Sequence, residues 1–250
     1  MTTVALKADE RIDQLYSKTI QIIQSPTVFS FSLDAVLLGA FAQVPKAAKT
    51  RTVDLCAGNG AVGLFVSSTT RGHITEVELQ PRLADMAQRS IQLNDLDDQL
   101  SVLNVDLLTV TETIPKDSVD VVLCNPPYFK DQPASQKNPN PHLAIARHEI
   151  TANLAQIMAV TSDLLKMNGK AYFVHRPERL DDLFRTMAQH RLAPKRLRFV
   201  HPKADREANM VLIEMIKDGK PNGVRVLPPV IVYQADGSYG EEVHQLLYGN

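Results

Sequence analysis

Residues 119–128 read Val119-Asp120-Val121-Val122-Leu123-Cys124-Asn125-Pro126-Pro127-Tyr128. The first six form an apolar, β-branched run of the kind that makes a buried strand. An amide and two prolines cannot extend that strand, so the chain must turn at its carboxyl end. In open α/β sheets that end is where ligands sit. The stretch therefore brings an amide, a stiff backbone and an aromatic ring to the mouth of a cleft. The combination suits one task, gripping the NH2 of a planar nitrogen-bearing group while the group is held flat.

Outward from this point, strand and helix patterns alternate. On the amino side, 50–54, 73–78 and 101–105 read as strands, and 61–67 and 81–94 as helices. Pro81 falls in the first turn of the second helix, with Leu83, Ala87 and Ile91 on one face. Residues 118–124 are the fourth strand. On the carboxyl side, a helix at 151–167 stops at Asn168-Gly169. A strand at 170–174, a helix at 178–190 and strands near 196–200 and 210–216 follow. The pattern predicts an α/β fold with a doubly wound, mostly parallel seven-stranded sheet and helices on both faces. The last two strands lack a long helix between them, which predicts antiparallel pairing at the sheet edge.

Residues 1–45 read as an extension, ahead of a main domain at 46–250. Ile20, Ile22, Phe29 and Phe31 alternate with polar neighbours, predicting two short strands turning at Ser25-Pro26. Ser32 is a candidate N-cap for a helix at 33–43, with Asp34 in its first turn. That helix is apolar nearly all round and is expected to be buried. Residues 130–141, KDQPASQKNPNP, form a long loop beside the cleft, of the functional or disordered kind. The tail from Lys217 contains one strand-like run, Val230–Tyr233, with no place assigned in the sheet.

The 250 residues carry a formal charge of −1, so no global basic field advertises a nucleic-acid partner. Cys56 and Cys124 have no metal-ligand spacing and read as small buried hydrophobes in a reducing compartment. No metal site is expected. Residues 1–7 lack the pattern of a signal peptide, and no apolar stretch reaches the ~20 residues needed to cross a bilayer. The expectation is a cytoplasmic protein with no membrane contact and no obligate protein partner.

Residues 54–63, Asp54-Leu55-Cys56-Ala57-Gly58-Asn59-Gly60-Ala61-Val62-Gly63, satisfy G-x-G-x-x-G after a strand, and Glu78 lies 20 residues beyond Gly58. Glycines let the backbone approach a ligand, and a carboxylate ending the second strand accepts bonds from ribose hydroxyls. This would serve a dinucleotide or S-adenosylmethionine. Three features favour the methyl donor. Asp54 can hold an ammonium or nearby amides where a pyrophosphate would be repelled. Asp106, closing the third strand, can accept from the adenine amine of the cofactor, or cap a turn. The Asn125–Tyr128 tetrad has no role in hydride transfer. Glu76 competes with Glu78 for the ribose; Glu78 is preferred because it lies nearer the strand's end.

These elements in this order resemble class I S-adenosylmethionine-dependent methyltransferases of the amino-methylating group, whose N/D-P-P-Y/F motif acts on adenine, cytosine or a glutamine amide. The likeness spans about residues 50–175. A closer one adds Ile22-Ile23-Gln24, residues 29–38 (FSFSLDAVLL) and Ala146-Arg147-His148-Glu149. With these, the chain is similar to the bacterial valine-tRNA adenine-N6 methyltransferases, which methylate the adenine just 3′ of the anticodon. The resemblance implies a Rossmann-like methyltransferase fold, S-adenosyl-L-methionine as cofactor and a tRNA substrate. It also implies that Phe31, Ser32 and Asp34 help close over the donor, beside Asp54, Ala57, Gly58, Asn59, Gly60, Glu78, Asp106 and Asn125.

For the chemistry, an aromatic amine is a poor nucleophile because its lone pair is delocalised. The Asn125 side-chain oxygen and the Pro126 carbonyl would accept its two N–H protons, with Pro127 stiffening the turn. Positioning of this kind contributes up to ~7–11 kcal/mol. Tyr128 would stack on the base at ~1–3 kcal/mol, and Phe129 would assist or belong to the core. No strong base is needed. For RNA, residues 176–206 hold nine Lys/Arg against four acids. Lys195, Arg196, Arg198 and Lys203 are the candidate phosphate contacts, against the alternative of an ordinary solvated face. His148 is read as an RNA contact or a structural residue. Competing readings are a glutamine-amide methyltransferase of the release-factor type and a DNA adenine methyltransferase. The first carries a larger N-terminal domain and the second a sizeable recognition domain, and neither is visible here.

Overall fold

The structure is a computed structural model that describes residues 4–16, 20–28, 32–128 and 151–249. The strand–helix alternation folds into one twisted sheet. Its strands are β3 (Arg51–Leu55), β4 (His73–Val77), β5 (Leu100–Leu103), β6 (Val119–Cys124), β7 (Leu165–His175), β8 (Leu192–His201) and β9 (Met210–Lys217). Two-residue strands β10 (Arg225–Val226) and β11 (Val230–Ile231) add parallel to β8. The order β5-β4-β3-β6-β7-β9-β8 reverses direction of winding between β3 and β6. Ligands collect at such a switch point.

The all-apolar character of β6 follows from its place. Val121 and Leu123 face one core cluster with α1 (Leu33–Phe41) and α2 (Ala61–Ser67). Val122 and Cys124 face the other, with α4 (Leu154–Leu164) and α5 (Leu180–Gln189). Helix α3 (Pro81–Leu93) begins at the predicted proline and buries Leu83, Ala87 and Ile91 as its period requires.

Three differences from the sequence reading have physical causes. Strand β9 is the antiparallel one, but it lies between β7 and β8 rather than at the edge. The short connection turns β9 back against β8, and β9 then fills the slot beside β7. The helix expected to end at 167 stops at Leu164, and β7 starts at once, absorbing Asn168 (φ 63°) as an irregularity before Lys170. In the extension, β2 (Ile20–Gln24) pairs with β1 (Arg11–Tyr16), a strand not foreseen because Arg11 to Gln14 are largely polar. The strand expected at Phe29 and Phe31 lies outside the described residues, as does the loop 130–141.

Side chains staple this hairpin to α3. The buried Glu10 carboxylate accepts 2.7 Å bonds from both terminal nitrogens of Arg89, and Asp9 gathers Ser25, Thr27 and Arg82. The tail is also placed. Val230–Ile231 is β11, and a helix α6 (Glu241–Tyr248), unforeseen in the sequence, packs against α1 and β1.

Candidate functional site

The turn after β3 is built from left-handed residues: Cys56 (φ 57°), Gly58 (φ 60°) and Gly60 (φ 86°). They fold the chain tightly enough for α2 to start at Ala61. A Cβ on Gly58 would meet nothing within 4 Å, so this glycine faces open space. On Gly60 and Gly63 a Cβ would lie 2.6 and 2.3 Å from the Glu76 carboxyl oxygens. The later glycines therefore clear room for a buried acid beneath the turn. Asn59, 2 % exposed, turns its amide away from open space and donates to the Ile23 carbonyl at 3.0 Å, tying the turn to β2.

Gly58 opens onto a cleft at the carboxyl ends of β3, β4 and β6. Its walls carry seven of the residues expected from sequence: Ala57, Gly58, Asn59, Glu78, Asp106, Asn125 and Pro127. Glu78 accepts from the Gly58 N–H and the Gln80 N–H, each at 2.8 Å. Burial pushes its carboxyl above the usual range, against the pull of those bonds. Glu78, the residue after β4, lines the cleft, and Glu76 within β4 is sealed beneath the turn. Asp106 takes the capping role and also stands at the cleft. Its Oδ1 caps the 3-10 turn at Leu108 N (2.9 Å) while its side chain borders the cleft.

Asp54 is fully buried under the turn, where Oδ2 accepts from Gly63 N at 3.2 Å. Desolvation pushes its carboxyl up to about 8. It does not border the cleft, and neither do Gly60, Ser32 or Asp34.

The tetrad leaves β6 beside the glycine turn, because Leu55 and Cys124 are register partners. Asn125 and Pro127 face the cleft, Pro126 is buried, and Tyr128 turns toward the sheet. The Tyr128 hydroxyl lies 2.6 Å from Asp34 Oδ2 and 2.5 Å from the Asn125 side-chain oxygen as placed. Asp34 also accepts from Ser32 Oγ and, at 2.9 Å, from Ala35 N. The Tyr128 ring meets His175 edge-on at 5.5 Å, with the Arg176 guanidinium 5.5 Å from its centre. Arg179 donates to the Tyr128 carbonyl at 3.2 Å. Burial, then Asp34, raises the phenol well above its ordinary value, so the hydroxyl keeps its proton. Burial lowers His175 to about 3. The ring is neutral and accepts from Arg176 N–H through Nδ1 at 2.8 Å.

Three of the four candidate RNA contacts have partners within the chain. Arg196 donates to Glu214 at 2.7 Å and lies 4.7 Å over the Phe41 ring. Arg198 holds Glu242 through two 2.6 Å bonds, and Lys195 caps the Lys220 and Asn222 carbonyls. Lys203 is exposed on the turn between β8 and β9, at the sheet end that carries the tetrad.

The cleft also uses residues that sequence reasoning passed over. Leu79 and Gln80 follow Glu78 directly, and Val105 and Leu107 flank Asp106, so strand-end position could have flagged them. Ala35, Thr151, Ala152 and Ile157 reach the cleft from elements distant in sequence, and no local pattern announces them. Phe31, Phe129 and His148 lie outside the described residues. Among the described residues, no cluster of three or more metal-type ligands occurs, and no helix is long and apolar enough to cross a membrane.

Residues 19–190, more than half of the chain, match the family described as Methyltransferase small domain. A tRNA1(Val) (adenine(37)-N6)-methyltransferase of Shewanella loihica is 33% identical over 146 residues, covering 57% of this chain and 58% of that protein. The protein of the same name from Porphyromonas gingivalis is 26% identical over 92% of this chain and 91% of its own length. Among solved structures, a predicted O-methyltransferase of Agrobacterium tumefaciens superposes with a TM-score of 0.68 at 21% identity, covering 86% of this chain and 96% of that one. At that identity the likeness speaks for the fold.

Proposed function

Because the chain belongs to the Methyltransferase small domain family, we propose that it transfers a methyl group from S-adenosylmethionine to the N6 amine of an adenine in tRNA. The favoured target is the adenine 3′ of the anticodon in a valine tRNA, as named for the two relatives. The observation that carries this reading is the meeting of Asn125 and Pro127 with Glu78 and Asp106 in one cleft.

The cleft's chemistry fits the donor. Glu78, just past β4, is set for ribose hydroxyls, Asp106 for an adenine amine, and Gly58 leaves room for close approach. Asp54, with Oδ1 buried and unpartnered beneath the turn, is set to answer positive charge on a donor bound above it. When bound, the donor supplies an electrophilic methyl on a sulfonium. The chain's part is to hold the acceptor. Asn125 and the Pro126 carbonyl take the two N–H protons of the base, and the proline pair keeps both acceptors fixed. Tyr128 supports Asn125 through its hydroxyl, while its ring packs against His175 and Arg176. The amine needs no general base, since its proton becomes acidic as the methyl arrives.

An anticodon loop presents unpaired bases, so little unstacking energy stands between adenine and the cleft. Lys203 is the candidate phosphate contact that needs no rearrangement. We take residues 1–45 as an extension packed on a catalytic domain at 46–250, and the cytoplasm, where tRNA is modified, as the site of action. The test is methyl transfer from labelled donor to unmodified tRNA, ribosomal RNA, duplex DNA and release factor in separate reactions. N6-methyladenosine in tRNA, lost in Asn125→Ala, is the expected result. Label only in release factor would move the acceptor to a glutamine amide.

A further inference from the structure

Beneath the glycine turn, Asp54 of β3 and Glu76 of β4 are register partners, and both are fully buried. Asp54 Oδ2 has the Gly63 N–H, whereas Asp54 Oδ1 and both Glu76 oxygens have no hydrogen-bond partner. Gly60 and Gly63 lie directly on the Glu76 carboxyl, so a single backbone layer separates the pair from the turn that shapes the cleft. Asp54 feels the Glu78 carboxyl just past β4, Glu76 feels Asp54, and Asp54 in turn acts on the Cys124 thiol. Among the described residues, no lysine, arginine or histidine is ion-paired with either acid.

Two unpaired carboxylates in such a place are costly, and burial raises both groups, Asp54 to about 8 and Glu76 well above its ordinary value. The free protein therefore carries protons here. S-adenosylmethionine has a sulfonium, an ammonium and a carboxylate, a net charge of +1. Its product, S-adenosylhomocysteine, has lost the sulfonium charge and is neutral. A positive ligand charge above the turn favours the ionised form of the pair, because charges interact strongly where water is excluded.

We propose that Asp54 and Glu76 form a proton-releasing floor that favours the cationic donor over the neutral product, with Glu76 a positioning and specificity residue acting through Asp54 and the glycine turn. In the binding step, an O–H bond of one carboxyl breaks, its electron pair stays on the oxygen, and the proton passes to buffer. After transfer the sulfonium charge is gone and only the zwitterionic tail remains, the pair takes up a proton, and product affinity falls. The inference rests on the reading of the cleft as a donor site.

The test is titration calorimetry of the full-length protein with S-adenosylmethionine and with S-adenosylhomocysteine, each in two buffers of different ionisation enthalpy. The expected result is proton release with the donor and little or none with the product. Between about pH 6.5 and 8.5 the affinity ratio should rise about tenfold in the donor's favour. Glu76→Gln should flatten that dependence, and Asp54→Asn, checked for folding by circular dichroism, should do the same. Equal proton release for the two ligands, or an unchanged pH slope in a folded Glu76→Gln protein, would overturn the inference and leave the donor site standing. Failure of both ligands to bind the wild-type protein would remove the donor reading and this inference together.

Discussion

The Tyr128 hydroxyl donates to the Asp34 carboxylate across 2.6 Å, joining the tetrad to the first turn of α1 over a separation of 94 residues. The same hydroxyl lies 2.5 Å from the Asn125 amide. It has one proton, and donates it in the hydrogen bond to the carboxylate. The amide satisfies the contact only with its NH2 toward the phenol oxygen, which turns its carbonyl to the cleft. Amide orientation is assigned from such networks. Asp34 thus orients Asn125 through Tyr128. The role differs from the donor closure that the family resemblance implies.

Removing either link should lower methyl transfer. Tyr128→Phe and Asp34→Asn are each expected to reduce kcat by about 10- to 100-fold, the worth of a hydrogen bond to a charged group. Donor affinity should change little. Because the two residues act in series, the double variant should lose little more than the worse single one. Full additivity in single-turnover rates would break the chain of support.

Gly63→Ala should destabilise the fold by about 1–3 kcal/mol, since its Cβ would stand 2.3 Å from a buried Glu76 oxygen. Urea melts of Gly63→Ala, Glu76→Ala and the pair measure this. Shortening Glu76 should return part of the loss.

The buried acids set a direction for stability against pH. Between 3.8 and about 8, folded Asp54 keeps a proton that the unfolded chain has given up. Glu76 behaves alike. Unfolding therefore releases protons, and stability falls as pH rises through that window, by up to about 1.4 kcal/mol per pH unit for each proton. Glu10 and Asp85 have lowered values, and their stabilisation is lost only at more acid pH. Denaturation without donor from about pH 5 to 8.5 should follow the falling curve, and Glu76→Gln should shallow it.

The basic residues of 195–203 should separate by experiment. Arg196→Ala breaks a pair whose side chains are 14% and 5% exposed, and should cost about 3–5 kcal/mol of stability. Lys203→Glu should leave stability alone and weaken tRNA binding, with a shallower salt dependence. Equal RNA affinity in Lys203→Glu and wild type would move the phosphate contact elsewhere.

Much of this arrangement was legible in sequence. The β-branched run of β6 and the prolines after it announced a buried strand and a turn, and strand-end position brought out Glu78 and Asp106. Parity alone could not seal Glu76 beneath the turn, because Glu76 and Glu78, two residues apart at the end of β4, share parity. What separates them is the Gly60–Gly63 backbone lying over the first. The slot of β9 depends on which neighbour a returning strand finds, a long-range choice that periodicity does not encode. Arg196 and Arg198 read as candidate phosphate contacts because Glu214 and Glu242, their partners, are distant in sequence. Tyr128 was read as a stacking ring, and its hydroxyl bond to Asp34 has no local signature.

The most direct measurement is to methylate unmodified valine tRNA with the wild-type protein and with Asn125→Ala, then map the product by nuclease digestion and mass spectrometry. The account predicts N6-methyladenosine at the adenine 3′ of the anticodon with the wild type, and none with the variant while donor binding persists. N6-methyladenosine formed equally well by Asn125→Ala, or methyl groups only at ring nitrogens or ribose, would contradict it.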